Sequence, residues 1–281
     1  MIEHLIVTTL VENTAGGKGL LGEHGLSFLI EARKGEETWR ILFDTGQGFV
    51  LGHNVKQLGI ALHPLDAIVL SHGHYDHTGG LPEVLQECPE ADLFVHPSGL
   101  EEKYSPRGDI GAPIRDREEL RSRVGNLVWT TTPTELYPGI CVTGTIPRGH
   151  ELEDTGGNFW RDKTHQQIDT LPDDQALFIN TPQGIVVILG CAHAGTINTL
   201  DYIKSLTTVQ RFHAVLGGMH LLRATRERIE ATAKALEEYE VRLIAPNHCT
   251  GMNAIAHFWQ RFPDRVVECK VGSRLEFGDR R

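Results

Sequence analysis

His72, Gly73, His74, Tyr75, Asp76 and His77 put three imidazoles and a carboxylate into six consecutive residues. The apolar stretch Ala67-Ile68-Val69-Leu70 runs into Ser71 and these histidines, and Gly79-Gly80 and Leu81-Pro82-Glu83-Val84-Leu85 follow. The first segment reads as a strand, the last as the opening turn of a helix with Pro82 near its start. A chain with this run must therefore place a ligand-dense turn at a strand–helix junction, a place a merely solvated loop has no reason to choose. In such a turn His72 and His74 can point one way while Asp76 and His77 swing round to face them. The first pair can hold one metal ion and the second pair another. Imidazole and carboxylate suit zinc, iron or manganese, and two such ions about 3.5–4 Å apart can share a bridging water.

The rest of the chain alternates strand and helix patterns. Leu5–Val11, Leu26–Ala32 and Trp39–Phe43 read as strands, as do Gln175–Asn180, Gly184–Leu189, Ala214–Leu216, Val241–Ala245, Val266–Lys270 and Arg274–Phe277. Thr225–Tyr239 carries Ile229, Ala233, Leu236 and Tyr239 at helical spacing, with Thr225 as its cap. Two stretches break the rhythm. Residues 97–130 turn polar and rich in Arg and Glu around a short helix at Arg117–Val124, and residues 147–174 are glycine-bearing and poor in aliphatics. Long irregular segments in a folded domain usually build a binding site, so both are expected as insertions in one domain, 1–281, near the mouth of the metal site. From the letters alone the fold is a mixed α/β domain whose sheets are covered by helices.

The run His72-x-His74-x-Asp76-His77 matches the ligand signature of the metallo-β-lactamase superfamily in full, and the chain resembles that family from about Leu5 to Phe277. The phrases Glu23-His24-Gly25, Gly190-Cys191-Ala192-His193, Gly217-Gly218-Met219-His220 and His248-Cys249-Thr250-Gly251 resemble one branch, which contains the dihydropterin–ribofuranosylaminobenzene phosphate synthases. The resemblance implies an αββα sandwich of two mixed sheets covered by helices. It also implies an upstream Asp at a strand end (Asp44, after Ile41-Leu42-Phe43), a downstream His (His193) and a last His near the C-terminus (His248). On this reading His72, His74 and His193 hold one divalent ion, and Asp76, His77 and His248 the other, zinc first, with iron or manganese also compatible. Cys191 and His150 are secondary ligand candidates: Cys191 stands where many members carry a bridging Asp or Cys, and His150 where they carry a middle His. Both also have plain readings, Cys191 as a small buried hydrophobe.

Asp44 is expected to orient a ligand His, and with Asp76 and His220 makes up the catalytic set. His220 and His24 are placed at the substrate, His220 because a glycine pair before it permits close approach. Arg148 and Arg223 are the cations best placed for a phosphate. A formal net charge of −10 excludes a nucleic-acid backbone as partner. Five cysteines without a C-x-x-C pair suggest a reducing, cytoplasmic setting. No charged leader and no apolar run near 18 residues points to a membrane. The expected partner is a small anionic substrate, with oligomerisation left open. Two activities compete: hydrolysis of a small anionic ester or phosphoester by a binuclear centre with its bridging hydroxide, and, as the branch implies, transfer from a dihydropterin diphosphate to a ribofuranosylaminobenzene phosphate-like acceptor.

Overall fold

The structure, a computed structural model, describes residues 1–209 and 211–278 of the chain. Its first part contains β1 (His4–Val11), β2 (Ser27–Lys34), β3 (Glu37–Phe43), α1 (Leu51–Gln57), β4 (Ala67–Val69), α2 (Tyr75–Thr78), α3 (Leu81–Glu87) and β5 (Asp92–Val95). The small strands β6 (Tyr104–Ser105) and β7 (Gly108–Asp109), helix α4 (Arg117–Arg121) and β8 (Leu127–Trp129) follow. The second part runs through β9 (Thr134–Tyr137), β10 (Ile140–Val142), β11 (Leu177–Thr181), β12 (Gly184–Leu189), α5 (Thr196–Leu206) and β13 (Phe212–Gly218). It closes with α6 (Arg226–Glu238), β14 (Leu243–Asn247), α7 (Met252–Arg261) and β15 (Arg274–Gly278).

Two mixed sheets result. One has the order β15-β1-β2-β3-β4-β5-β8 and the other β14-β13-β12-β11-β10-β9. Side-chain alternation along each strand decides what meets what. Phe28, Ile30, Ile41, Phe43 and Val69 of the first sheet face Ile179, Val186, Ile188 and Leu216 of the second in one buried cluster. The intervening residues turn outward. Leu29, Leu42, Ile68 and Leu93 pack under α1 and α3 through Leu51, Val55, Leu81 and Leu85. Ile185, Val187, Leu189 and Val215 pack under α5, α6 and α7 through Leu200, Ile203, Ala233, Leu236 and Phe258. The layers are therefore helix, sheet, sheet, helix, the αββα arrangement expected above. Truncating an inner residue such as Phe28 to alanine costs about 3–5 kcal/mol at this degree of burial.

Several local expectations need correction. Val266–Lys270 is not a strand: Val266 makes one isolated bridge to Ile244 and Val271 one to Ala15. The segment crosses from the second sheet to the first and cannot pair with either for long. The hairpin β9–β10, unremarked in the sequence, forms the edge of the second sheet. Leu127–Trp129, assigned to an insertion, is β8 and extends the first sheet in parallel beside β5. Thr225 does cap α6, its hydroxyl accepting from Arg228 N at 3.2 Å. Among the described residues, no helix is long and apolar enough to cross a membrane.

Candidate metal centre

Parallel strands β3–β4 and β12–β13–β14 end at a common edge, where side chains need not be sheathed by the sheet. Asp44 follows β3, Ser71 and His72 follow β4, Cys191 follows β12, His220 follows β13 and His248 follows β14. Of the seven described non-glycine residues with positive φ, four lie here: Asp44 (+60°), Ala192 (+52°), His220 (+48°) and His248 (+48°). Each such residue stores about 1–3 kcal/mol and persists only where its surroundings over-determine it. The two halves of the chain touch at Gly190, where a Cβ would lie 2.1 Å from Ser71 Oγ.

His72, His74 and His193 form one group, with ligand atoms within 4.8 Å of one another and all three side chains buried. Their neighbours set the tautomers. Ser71 Oγ donates to Asp44 Oδ2 at 2.7 Å, so at 2.9 Å it must accept from His72 Nδ1–H. The lone pair of His72 is therefore on Nε2, which faces His74 Nδ1 at 3.0 Å. His193 Nδ1–H donates to the Thr155 carbonyl at 2.7 Å, leaving Nε2 as a buried acceptor without a hydrogen-bond partner. Burial first, then the adjacent imidazoles, push the His72 and His193 pKa values well below the usual histidine range. Burial takes His74 down to about 3. All three are neutral and could serve as metal ligands.

Asp76, His77 and His248 form the second group. His77 Nε2 lies 3.2 Å from His248 Nε2 and 3.7 Å from Asp76 Oδ2, and His248 Nε2 lies 3.4 Å from that oxygen. Again the far nitrogens are spoken for. His77 Nδ1–H donates to Asp44 Oδ2 at 2.7 Å and His248 Nδ1–H to Asn13 Oδ1 at 2.8 Å. With those nitrogens protonated, two imidazole lone pairs can face each other next to a carboxylate, an arrangement that suits a cation between them. Without one, burial opposes charge on His77, but Asp44 and Asp76 outweigh it and raise its pKa to about 9. Burial alone would raise the Asp76 pKa; His77, His24 and His248 more than reverse this and hold it well below the carboxylate range. The donor set in both groups fits divalent metal ions.

The remaining predicted residues divide. Asp44 is fully buried and hydrogen-bonds Ser71 and His77, a place from which it can orient them. Cys191 Sγ sits 3.2 Å from His77 Nε2 and groups with His72 and His77, in reach of both triads. His24 is half exposed at the rim, its Nε2 3.2 Å from Asp76 Oδ2 and its ring 5.0 Å from that of His248. The His220 ring lies 4.2 Å from that of His193. His150 belongs to neither triad; its Nδ1 accepts from Leu152 N within its own loop. Arg148 does not present its charge to the cleft either. Its guanidinium donates to the carbonyls of His193 at 2.7 Å and Leu171 at 3.1 Å, bracing the loop behind His193. Arg223 is exposed on the turn into α6.

Residues 147–174 do lie on the site: besides the Thr155 carbonyl, the Phe159 ring packs 5.0 Å from His74 and 5.4 Å from His193. Other contributors were missed. Asp173 Oδ2 accepts Gly73 N at 2.8 Å inside the histidine run, and its other oxygen is paired with the buried Lys103 at 2.8 Å, which also meets Asp169. Glu12 Oε1 accepts His248 N at 2.8 Å. Cys249, beside a predicted ligand, groups with Cys191 and His220. Adjacent carboxylates at Asp173-Asp174 just before a strand were the available sequence signal.

Two sheets with candidate metal-binding groups gathered at their strand ends define a metallo-β-lactamase-like domain, and the chain belongs to the metallo-β-lactamase superfamily, whose profile matches residues 21–195. It is 31% identical, over 98% of each chain, to the 7,8-dihydropterin-6-methyl-4-(β-D-ribofuranosyl)-aminobenzene-5'-phosphate synthase of Methanocaldococcus jannaschii. A solved metal-dependent hydrolase of the β-lactamase superfamily superposes with a TM-score of 0.83 at 29% identity, over 98% of this chain and 100% of that one. The metallo-β-lactamase-fold protein YhfI from Bacillus subtilis shares the fold alone, with a TM-score of 0.58 at 14% identity over 98% of this chain and 100% of its own.

Proposed function

We propose that this chain is a binuclear metal-dependent enzyme, with zinc in both sites, that hydrolyses a small anionic ester or phosphoester. The observation that carries the reading is the orientation of the lone pairs. His72 Nε2, His193 Nε2, His77 Nε2 and His248 Nε2 all face inward because their opposite nitrogens donate to Ser71, Thr155, Asp44 and Asn13. His72, His74 and His193 would hold one ion and Asp76, His77 and His248 the other, with Cys191 between them. Ions so held would supply Lewis acidity and a water whose pKa is brought close to neutral. The protein's own part is orientation and proton handling. Asp44 fixes two ligand tautomers, Arg148 and Thr155 fix His193, and Phe159 keeps bulk water off the first triad. His24, at the rim beside Asp76, and His220, beside His193, are placed to meet an anionic group or give a proton to a leaving oxygen.

A second reading, group transfer with loss of diphosphate, is favoured by the 31% identity to a synthase along the full length. There the same residues would grip a diphosphate while an aromatic acceptor attacks. Zinc-reconstituted protein, analysed for metal content and offered phosphoesters, lactones and diphosphates in ¹⁸O-labelled water, separates the two. Hydrolysis predicts two metal equivalents at the triads, label in the product, and loss of turnover together with about one of those equivalents in His72→Ala. Turnover that requires an acceptor and leaves the product unlabelled overturns hydrolysis in favour of transfer. Full metal occupancy in His72→Ala overturns the ligand assignment itself.

A further inference from the structure

Beside the two triads stands a third group that neither uses in full. Cys191, His220 and Cys249 leave the ends of β12, β13 and β14, three neighbouring parallel strands, and their ligand atoms lie within 4.8 Å of one another. We propose that these residues form a separate site for a soft divalent cation such as zinc or cadmium, and that filling it withdraws His220 from the substrate.

The dimensions agree. Tetrahedral zinc with Zn–S of about 2.3 Å and Zn–N of about 2.0 Å places its ligand atoms about 3.5–3.8 Å apart, so the group needs only a small closure. Two features keep the space between the ligands open. Gly218 lies between the cysteines, and a Cβ there would sit 2.6 Å from Cys249 Sγ and 3.4 Å from the Cys191 Cα. His220 Nδ1 is buried and has no hydrogen-bond partner, although a histidine that merely packs would be expected to satisfy it. Cys249 Sγ lies 3.6 Å from the Cys191 carbonyl and also interacts with the Cys191 and His220 side chains, so the three ligand groups already face one another. Two thiolates and an imidazole favour zinc, cadmium or copper(I) over magnesium, calcium or manganese, whereas the nitrogen- and carboxylate-rich triads discriminate less by softness. Cys191 is the shared corner, since it also groups with His72 and His77, and a thiolate there can join the third site to the main centre.

Cadmium titration of the purified full-length protein tests this, with bound metal measured by elemental analysis and thiolate ligation by the ultraviolet sulfur-to-cadmium charge-transfer band. The wild type is expected to bind one equivalent more than Cys249→Ser, and the variant to lose one of two thiolate contributions to the band. His72→Ala is expected to lose a different equivalent and keep the band whole, which separates this site from the main centre. Equal stoichiometry and equal band intensity in wild type and Cys249→Ser would overturn the proposal. Should Cys249→Ser not fold, as read by circular dichroism, His220→Ala decides: it keeps both thiols and is expected to weaken the extra equivalent about 10-fold or more, and unchanged affinity rejects the site.

Discussion

Replacing Asp44 by asparagine preserves the side chain's size and removes one accepting face. In the wild type Asp44 accepts three hydrogen bonds at 2.7 Å: Ser71 N–H at Oδ1, and Ser71 Oγ–H and His77 Nδ1–H at Oδ2. The main-chain N–H of Ser71 cannot turn away, so the asparagine oxygen must stay on it. The NH2 group then faces Ser71 Oγ and His77 Nδ1, and both must accept. His77 moves its proton to Nε2. Ser71 Oγ, now accepting from the amide, donates instead to His72 Nδ1, which moves the His72 proton to Nε2 as well. One substitution outside the ligand set thus converts an inward lone pair in each triad into an N–H. Changes of this kind cost about 10–100-fold in metal affinity, or about 1.4–2.7 kcal/mol per ion. Calorimetric titration of the metal-free protein with zinc, in competition with a chelator, reads both affinities. The expected outcome is a loss at both sites. Two wild-type affinities in a variant with a native circular dichroism spectrum would refute the relay.

Ser71→Ala removes the partner of His72 but leaves the 2.7 Å contact of His77 with Asp44, so only the first triad is expected to weaken, by about 10-fold; equal losses at both sites in the same titration would show that the triads are not separately tuned. Asp173→Asn leaves Lys103 buried with one full charge partner, Asp169, and is expected to lower stability by up to about 3–5 kcal/mol in denaturant unfolding, with a Lys103→Met revertant recovering much of it. A variant within experimental error of wild type would mean that this buried pair is not needed to hold Gly73. Millimolar phosphate is expected to inhibit competitively, and His220→Ala to weaken that inhibition while the His72 and His77 triads keep their metal. Loss of metal from either triad in that variant, or a wild-type rate indifferent to phosphate, would move His220 out of the substrate's reach.

Much of the layered fold was readable because burial is written with period two. Residues such as Val186 and Ile188 alternate with Val187 and Leu189, and the structure sends the two sets to different cores. What the letters hid were elements whose existence depends on distant partners. β9 and β10 are short and form only because β11 supplies an edge, and β8 is a strand only beside β5. Val266–Lys270 has strand composition yet changes sheets midway. Local propensity cannot register either circumstance.

The site divides in the same way, and the division has a physical basis. Its candidate ligands could be named because metal chemistry restricts them to a few residue types, and because four of them are packed into one turn. Their orientation could not. His77 depends on Asp44, 33 residues earlier, and His248 on Asn13, 235 residues earlier. Nothing in composition or spacing distinguishes Asn13 or Ser71 from any polar loop residue. Arg148 shows the converse: its neighbourhood suggested a phosphate anchor, yet two carbonyls claim its guanidinium. A polar residue near a site is therefore better judged by which buried donors and acceptors it must satisfy than by its charge. By that standard the unpartnered Nδ1 of His220 says more about what this centre can still bind than any exposed arginine around it.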